Sequence, residues 1–232
     1  MKEILDKSFD SEFDKIENLT WYPWVGKDYT FNKRRVLVIG ESHYVNENTD
    51  ENNGKREQEL LSDNTHTRDC LYEVLIDKSW NNKTYPRLME ALYDRGIIPD
   101  NKMALSKIAY YNFIQTPMDY TVRERPNSSH YITAWECFLK VITILHPTDC
   151  IFVGVGSIKS FEEFMKKRGV PYTEINTLEK RNNTYPQRTS IKLNYDINIV
   201  FIKHSSAFFS PEQWHEFLKQ QLPEAMKWLN TK

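Results

Sequence analysis

Four short runs along the chain are apolar at nearly every position. Val36–Ile39 reads Val-Leu-Val-Ile and stops at Gly40, and Lys107–Ile114, Cys150–Val155 and Ile197–Lys203 carry the same signature. A continuous β-branched and aliphatic run of this length is how a strand buried on both faces looks. Between these runs apolar positions recur at helical spacing over Leu71–Lys78, Tyr85–Arg95, Ala134–Leu145 and Ile158–Arg168. Strands alternating with helices imply right-handed crossovers and a mostly parallel sheet covered on both faces. The pattern therefore predicts an α/β fold, a three-layer α/β/α sandwich around a four-stranded, mainly parallel central sheet.

The flanking segments extend this picture. Ile4, Leu5, Phe9, Phe13 and Ile16 stand at near-helical spacing among acidic residues, which predicts an amphipathic helix. Trp21, Tyr22, Pro23 and Trp24 then form an aromatic turn, so residues 1–30 are expected to pack on the rest of one domain spanning residues 1–232. Val45–Asp69 is polar, acidic and rich in Asn, and directly follows a central strand. A segment of that kind is expected to be a loop or lid over a site, with His66, Thr67 and Arg68 opening the next helix. Pro211 to Trp228 predicts one or two closing helices.

Composition narrows the class. The chain has 232 residues, 40% of them hydrophobic and 27% charged, the balance of a globular domain. A formal charge of −1 gives no global attraction to nucleic acid, so any polyanion site must be local. The best local tract is Lys159 to Lys192, which reads either as a solvated helix and loop or as a phosphate-binding surface. Cys70, Cys137 and Cys150 lack the paired spacing of a zinc site and read as reduced thiols of a cytoplasmic protein. No apolar run approaches the roughly 18 residues of a membrane helix, and Lys2, Glu3, Asp6 and Lys7 interrupt any signal-peptide core. A cytoplasmic location and no membrane partner are the resulting expectations.

Open parallel sheets hold ligands beyond the carboxyl ends of their strands. Those ends deliver Gly40, Glu41, Ser42, His43 and Tyr44, then Asn112 and Gln115, then Gly154 and Gly156, then His204, Ser205 and Ser206. The site is expected where Gly40–Tyr44 and His204–Ser210 leave two neighbouring parallel strands. A serine elbow is excluded because Tyr44 stands where its second Gly belongs, and neither a phosphate loop nor a dinucleotide Gly pattern is present. Neither a cofactor nor a metal is expected. A metal site made of Glu41, His43, His204 and His66 ranks last, because no pair of them has ligand spacing on a helix.

Four pieces in order resemble the uracil-DNA glycosylase superfamily, from about Arg35 to Phe217. RVLVIGESHY (Arg35–Tyr44) is similar to the family's strand and Gly-led loop, such as GQDPY or GEAPG. IAYYNFIQ (Ile108–Gln115) is similar to the strand ending in the base-reading Asn. Trp135–Gly156 looks like the helix and strand that follow, and IVFIKHSSAFFS (Ile199–Ser210) resembles the strand leading into HPSP.

The resemblance implies roles residue by residue. Asn112 would read the edge of a flipped base, and His204 would stabilise negative charge on the departing base. Tyr44 would shape the pocket floor, and Gly40 would present backbone N–H groups. Ser206 completes the base-binding set. Ser42 stands where one branch has its catalytic Asp, Glu41 matches the Glu of GEAPG, and both HPSP prolines are replaced, by Ser205 and Ala207. Glu41, or a water held by Ser42, would assist hydrolysis of an N-glycosidic bond. The partners implied are single- or double-stranded DNA or a nucleotide-like ligand. Two other readings stay open: a non-catalytic nucleobase- or nucleotide-binding module, and a metal-assisted hydrolase at Glu41, His43 and His204.

Overall fold

The computed structural model describes residues 1, 3–45, 50–94, 100–120, 122, 124–206 and 208–231, with residues 50–53 described in backbone only. The strands are β1 (Trp24–Val25), β2 (Val36–Gly40), β3 (Tyr44–Val45), β4 (Ile108–Asn112), β5 (Met118–Asp119), β6 (Asp149–Val153), β7 (Asn176–Thr177), β8 (Gln187–Lys192) and β9 (Asp196–Ile202). The helices are α1 (Asp10–Phe13), α2 (Asp50–Ser62), α3 (His66–Tyr72), α4 (Thr84–Leu92), α5 (Asn101–Ser106), α6 (Ser128–Leu145), α7 (Ile158–Arg168), α8 (Pro211–Gln221) and α9 (Pro223–Leu229), and a π-helical turn, Glu73–Asp77, continues α3.

The expected α/β class holds, and the four expected strands are β2, β4, β6 and β9. They lie side by side in the order β4-β2-β6-β9 and pair in parallel. The sheet nevertheless has seven strands, because β1 joins one edge and β8 and β7 the other, each antiparallel. These additions carry weak sequence signals for a physical reason. β1 and β7 are two residues long, and β8 is an edge-region strand in which five of six residues are polar, so no apolar run marks it.

Alternation along the strands feeds two apolar layers. Val36, Val38, Tyr110, Ile151, Val153, Val200 and Ile202 face α3, α4, α8 and α9. Leu37, Ile39, Tyr111, Cys150, Phe152, Ile199 and Phe201 face α6 and α7. The chain leaves β2 toward β4 over the first layer, then returns through α6 in the second layer to β6 on the other side of β2. That reversal makes a topological switch point at the carboxyl ends of β2 and β6, the position where such sheets open a crevice.

Three further expectations change. The N-terminal amphipathic helix shrinks to the four residues of α1, because Leu5 bridges Gly26 in extended form and Asp6 turns the chain by accepting from Ser8 N. The polar segment Val45–Asp69 is mostly helical, as α2 and the start of α3. Its Glu, Lys, Arg and Gln content is good helix-forming material despite lacking an apolar stripe; residues 46–49 lie outside the described residues. The helix expected over Tyr85–Arg95 ends at Leu92, and Arg95 is outside the described residues. No described helix is long and apolar enough to cross a membrane.

Candidate functional site

The loops after β2, β4 and β9 meet α2, α3 and α4 around a cleft of about 1080 Å³. Of the seven residues expected at the site, Glu41, Ser42, Tyr44, Asn112, His204 and Ser206 line it. Gly40 lies one residue behind, in a narrow recess beside Gly154 and Gly156. The expectation that the two loops leave neighbouring strands is corrected: β6 separates β2 from β9. The loop after β6 is built from Gly154, with φ +135°, and Gly156, so little side-chain bulk stands between Glu41 and His204.

Gly40 and Asn112 are directly opposite in the β2–β4 ladder. A Cβ at Gly40 would come within 2.1 Å of Asn112 Oδ1 and 2.2 Å of the Tyr110 hydroxyl. Glycine therefore makes room for a side-chain relay. Tyr85 and Tyr110 are both buried and in edge-to-face contact, with ring centroids 5.7 Å apart. Tyr110 in turn donates to Asn112 Oδ1 at 2.9 Å. This fixes the orientation of the amide and leaves Nδ2, unpaired among the described residues, to donate into the cleft. Gln115 braces the strand end by donating to Asn112 O and accepting from Trp21 N, which ties the aromatic turn to the site.

His204 is polarised in a similar way. The backbone N–H of Ser206 donates to its Nδ1 at 3.2 Å, and the Ser206 hydroxyl lies 2.9 Å from the same atom. With Nδ1 accepting, the neutral ring carries its proton on Nε2. Burial lowers the His204 pKa from its usual 6.5, and Glu41 opposes part of that fall. The imidazole is therefore neutral at pH 7. Arg87 of α4 donates to Ser206 O and holds this loop against the helix.

Glu41 faces Arg125 at 3.9 Å. Burial and the nearby Glu41 carboxylate push the Tyr131 hydroxyl up to about 12. The Ser42 hydroxyl is buried and has no hydrogen-bond partner among the described residues. Tyr44 stands edge-on to Tyr120 on the rim, and its hydroxyl donates to Glu124 O at 3.4 Å. Phe208, two residues past Ser206, is 89% exposed and has a left-handed φ of +51°. A large apolar ring held out in a strained backbone conformation is a feature associated with contact surfaces.

Sequence reasoning missed several members of the site. Tyr110 and Tyr85 stand inside a strand run and a helical pattern with nothing local to mark them, and Arg125 sits in a short loop with no local signature. The metal set of Glu41, His43, His204 and His66 is not what converges. Among the described residues the ligating side chains within metal-binding distance of one another are His43, His66 and Cys70. The signal was present in the spacing His66-x-x-x-Cys70, which puts two ligands on one helical face. No protein-family model matches this chain, and no curated protein sequence matches it. The chemistry of the cleft therefore rests on its own geometry.

Proposed function

We propose that this chain is a uracil-DNA glycosylase-like protein that accepts a base flipped out of DNA and hydrolyses its N-glycosidic bond. The observation that carries the reading is the matched polarisation of Asn112 and His204. Each has its acceptor atom occupied by a neighbour, and each turns an N–H donor toward the same cleft. Asn112 Nδ2 donates to a carbonyl on the base edge. His204 Nε2–H donates to a second acceptor atom of the base as the C1′–N bond breaks and its electron pair leaves with the base. A neutral imidazole stabilises that anion without first being stripped of a proton. Glu41 accepts a proton from the water that adds to C1′, and its charge steadies the cationic sugar.

Features at the mouth support extrusion of the base. Phe208 is available to wedge into the stack that the base vacates. Arg125, 76% exposed in its side chain, supplies a positive group for a phosphate. A duplex carrying 2-aminopurine tests this step, since its fluorescence rises when the base unstacks. The rise is expected with wild type and is expected to be lost with Phe208→Ala; an unchanged signal with wild type would remove the extrusion step. The buried Ser42 hydroxyl, unpaired among the described residues, favours a second reading, a nucleobase-binding module without hydrolysis, because it stands where the resemblance expects a catalytic Asp. In that case the fluorescence rise would occur without base release.

A further inference from the structure

We propose that His43, His66 and Cys70 form a binding site for a single Zn²⁺ ion whose remaining coordination position opens into the cleft. This inference does not depend on the glycosylase reading. His66 and Cys70 lie one helical turn apart on α3, and His43 reaches them from the loop after β2. One ligand atom from each residue lies within 4.8 Å of those of the other two. Cys70 Sγ and His66 Nε2 are 3.5 Å apart. Bond lengths of about 2.05 Å to nitrogen and 2.3 Å to sulfur give a tetrahedral N···S edge of roughly 3.5 Å, so this pair is already spaced for zinc. The ligand atom of His43 lies within 4.8 Å of the other two, against tetrahedral edges of roughly 3.4–3.6 Å, so it needs to close by no more than about 1.3 Å.

The surroundings suit a cation. Asp63, Asp69 and Glu73 lie within electrostatic reach of His66 and Cys70. Thr65 holds Asp63 and Asp69 through its hydroxyl. His43 Nε2 lies 2.8 Å from Thr67 Oγ1, an outer partner of the kind that fixes the ring of a metal-bound histidine. His43, His66 and Cys70 all line the cleft together with Asp63 and Glu73, which gives the ion a solvent-facing side. Two imidazoles and a thiolate are a donor set for a borderline-soft ion and not for Mg²⁺ or Ca²⁺. Three protein ligands with one open position is the pattern of zinc sites that bind water or substrate. On binding, the Zn–S bond forms as the Cys70 thiol proton passes to solvent.

The test uses the purified full chain, stripped with chelator and titrated with Zn²⁺ against a chromophoric competitor, with Co²⁺ as a spectroscopic probe. One zinc per chain is expected, and Co²⁺ is expected to give a near-ultraviolet thiolate charge-transfer band. His66→Ala, at a half-buried position, and Cys70→Ser should each weaken zinc by about 100-fold or more and abolish the cobalt band. Cys137→Ser, a buried thiol elsewhere, should leave both unchanged. Absence of stoichiometric zinc in folded wild type, absence of the cobalt band, or equal zinc affinity in folded His66→Ala would each overturn the site.

Discussion

Replacing Gly40 by Ala asks one methyl group to enter the most crowded point behind the cleft. The new Cβ would stand 2.1 Å from Asn112 Oδ1 and 2.2 Å from the Tyr110 hydroxyl, where real contacts essentially never fall below 3.0 Å. The two oxygens must retreat by at least about 0.9 and 0.8 Å. Neither can do so freely. Asn112 is 3% exposed and Tyr110 4%, and the Tyr110 ring is backed by Tyr85. Overpacking of this kind costs about 1–3 kcal/mol. At about 2–4 °C per kcal/mol for a chain of this size, a cost near 2 kcal/mol lowers Tm by roughly 4–8 °C. Thermal unfolding followed by circular dichroism reads this directly and requires no ligand. The same substitution in a Tyr110→Phe, Asn112→Ala background meets neither oxygen, so most of its penalty should vanish there. A wild-type-like Tm for Gly40→Ala, or an equal loss in both backgrounds, would refute the steric account of why this strand ends in glycine.

Two further predictions probe the frame and the site electrostatics. Arg68 is 1% exposed and donates to Pro23 O and to both carboxylate oxygens of Asp10, with the Tyr22 ring beneath it. Arg68→Met should therefore destabilise by about 3 kcal/mol in a urea melt, since it strands Asp10 and a buried carbonyl; a loss under about 1 kcal/mol would show the pair to be dispensable. Because the folded-state pKa of His204 lies below its unfolded value of 6.5, the unfolded chain binds the extra proton first as pH falls. Stability linked to His204 is thus complete above about pH 6.5 and is lost progressively below it. His204→Gln should flatten that part of the pH–stability curve, and identical acid slopes for the two proteins would contradict a half-buried, neutral His204.

The parts of this molecule that were legible in sequence are those with a short-range physical signature. The runs at Val36, Ile108, Cys150 and Ile197 are buried on both faces, so their composition alone marks them as central parallel strands. Their carboxyl ends in turn located Glu41, Asn112 and His204 on one cleft. The edge strands were not legible, because a two-residue pairing such as Trp24–Val25 is specified by its partner and not by its own residues. The polar stretch after Tyr44 has no apolar face to mark it as a helix, although α2 covers one side of the cleft with Arg56, Glu59 and Leu60. The Tyr85–Tyr110–Asn112 relay and the meeting of His43 with His66 and Cys70 depend on contacts between residues far apart in the chain. Only their i, i+2 and i, i+4 components appear in sequence.

The central claim is that the cleft breaks an N-glycosidic bond, and single-turnover release of free base tests it most directly. Single-stranded and mismatched oligonucleotides carrying uracil or hypoxanthine are the substrates, and wild type is compared with Asn112→Ala and His204→Ala. The account predicts release by wild type that each substitution slows by about 10²-fold or more in protein that remains folded. No release of either base by folded wild-type protein, or release that both substitutions leave intact, would contradict it.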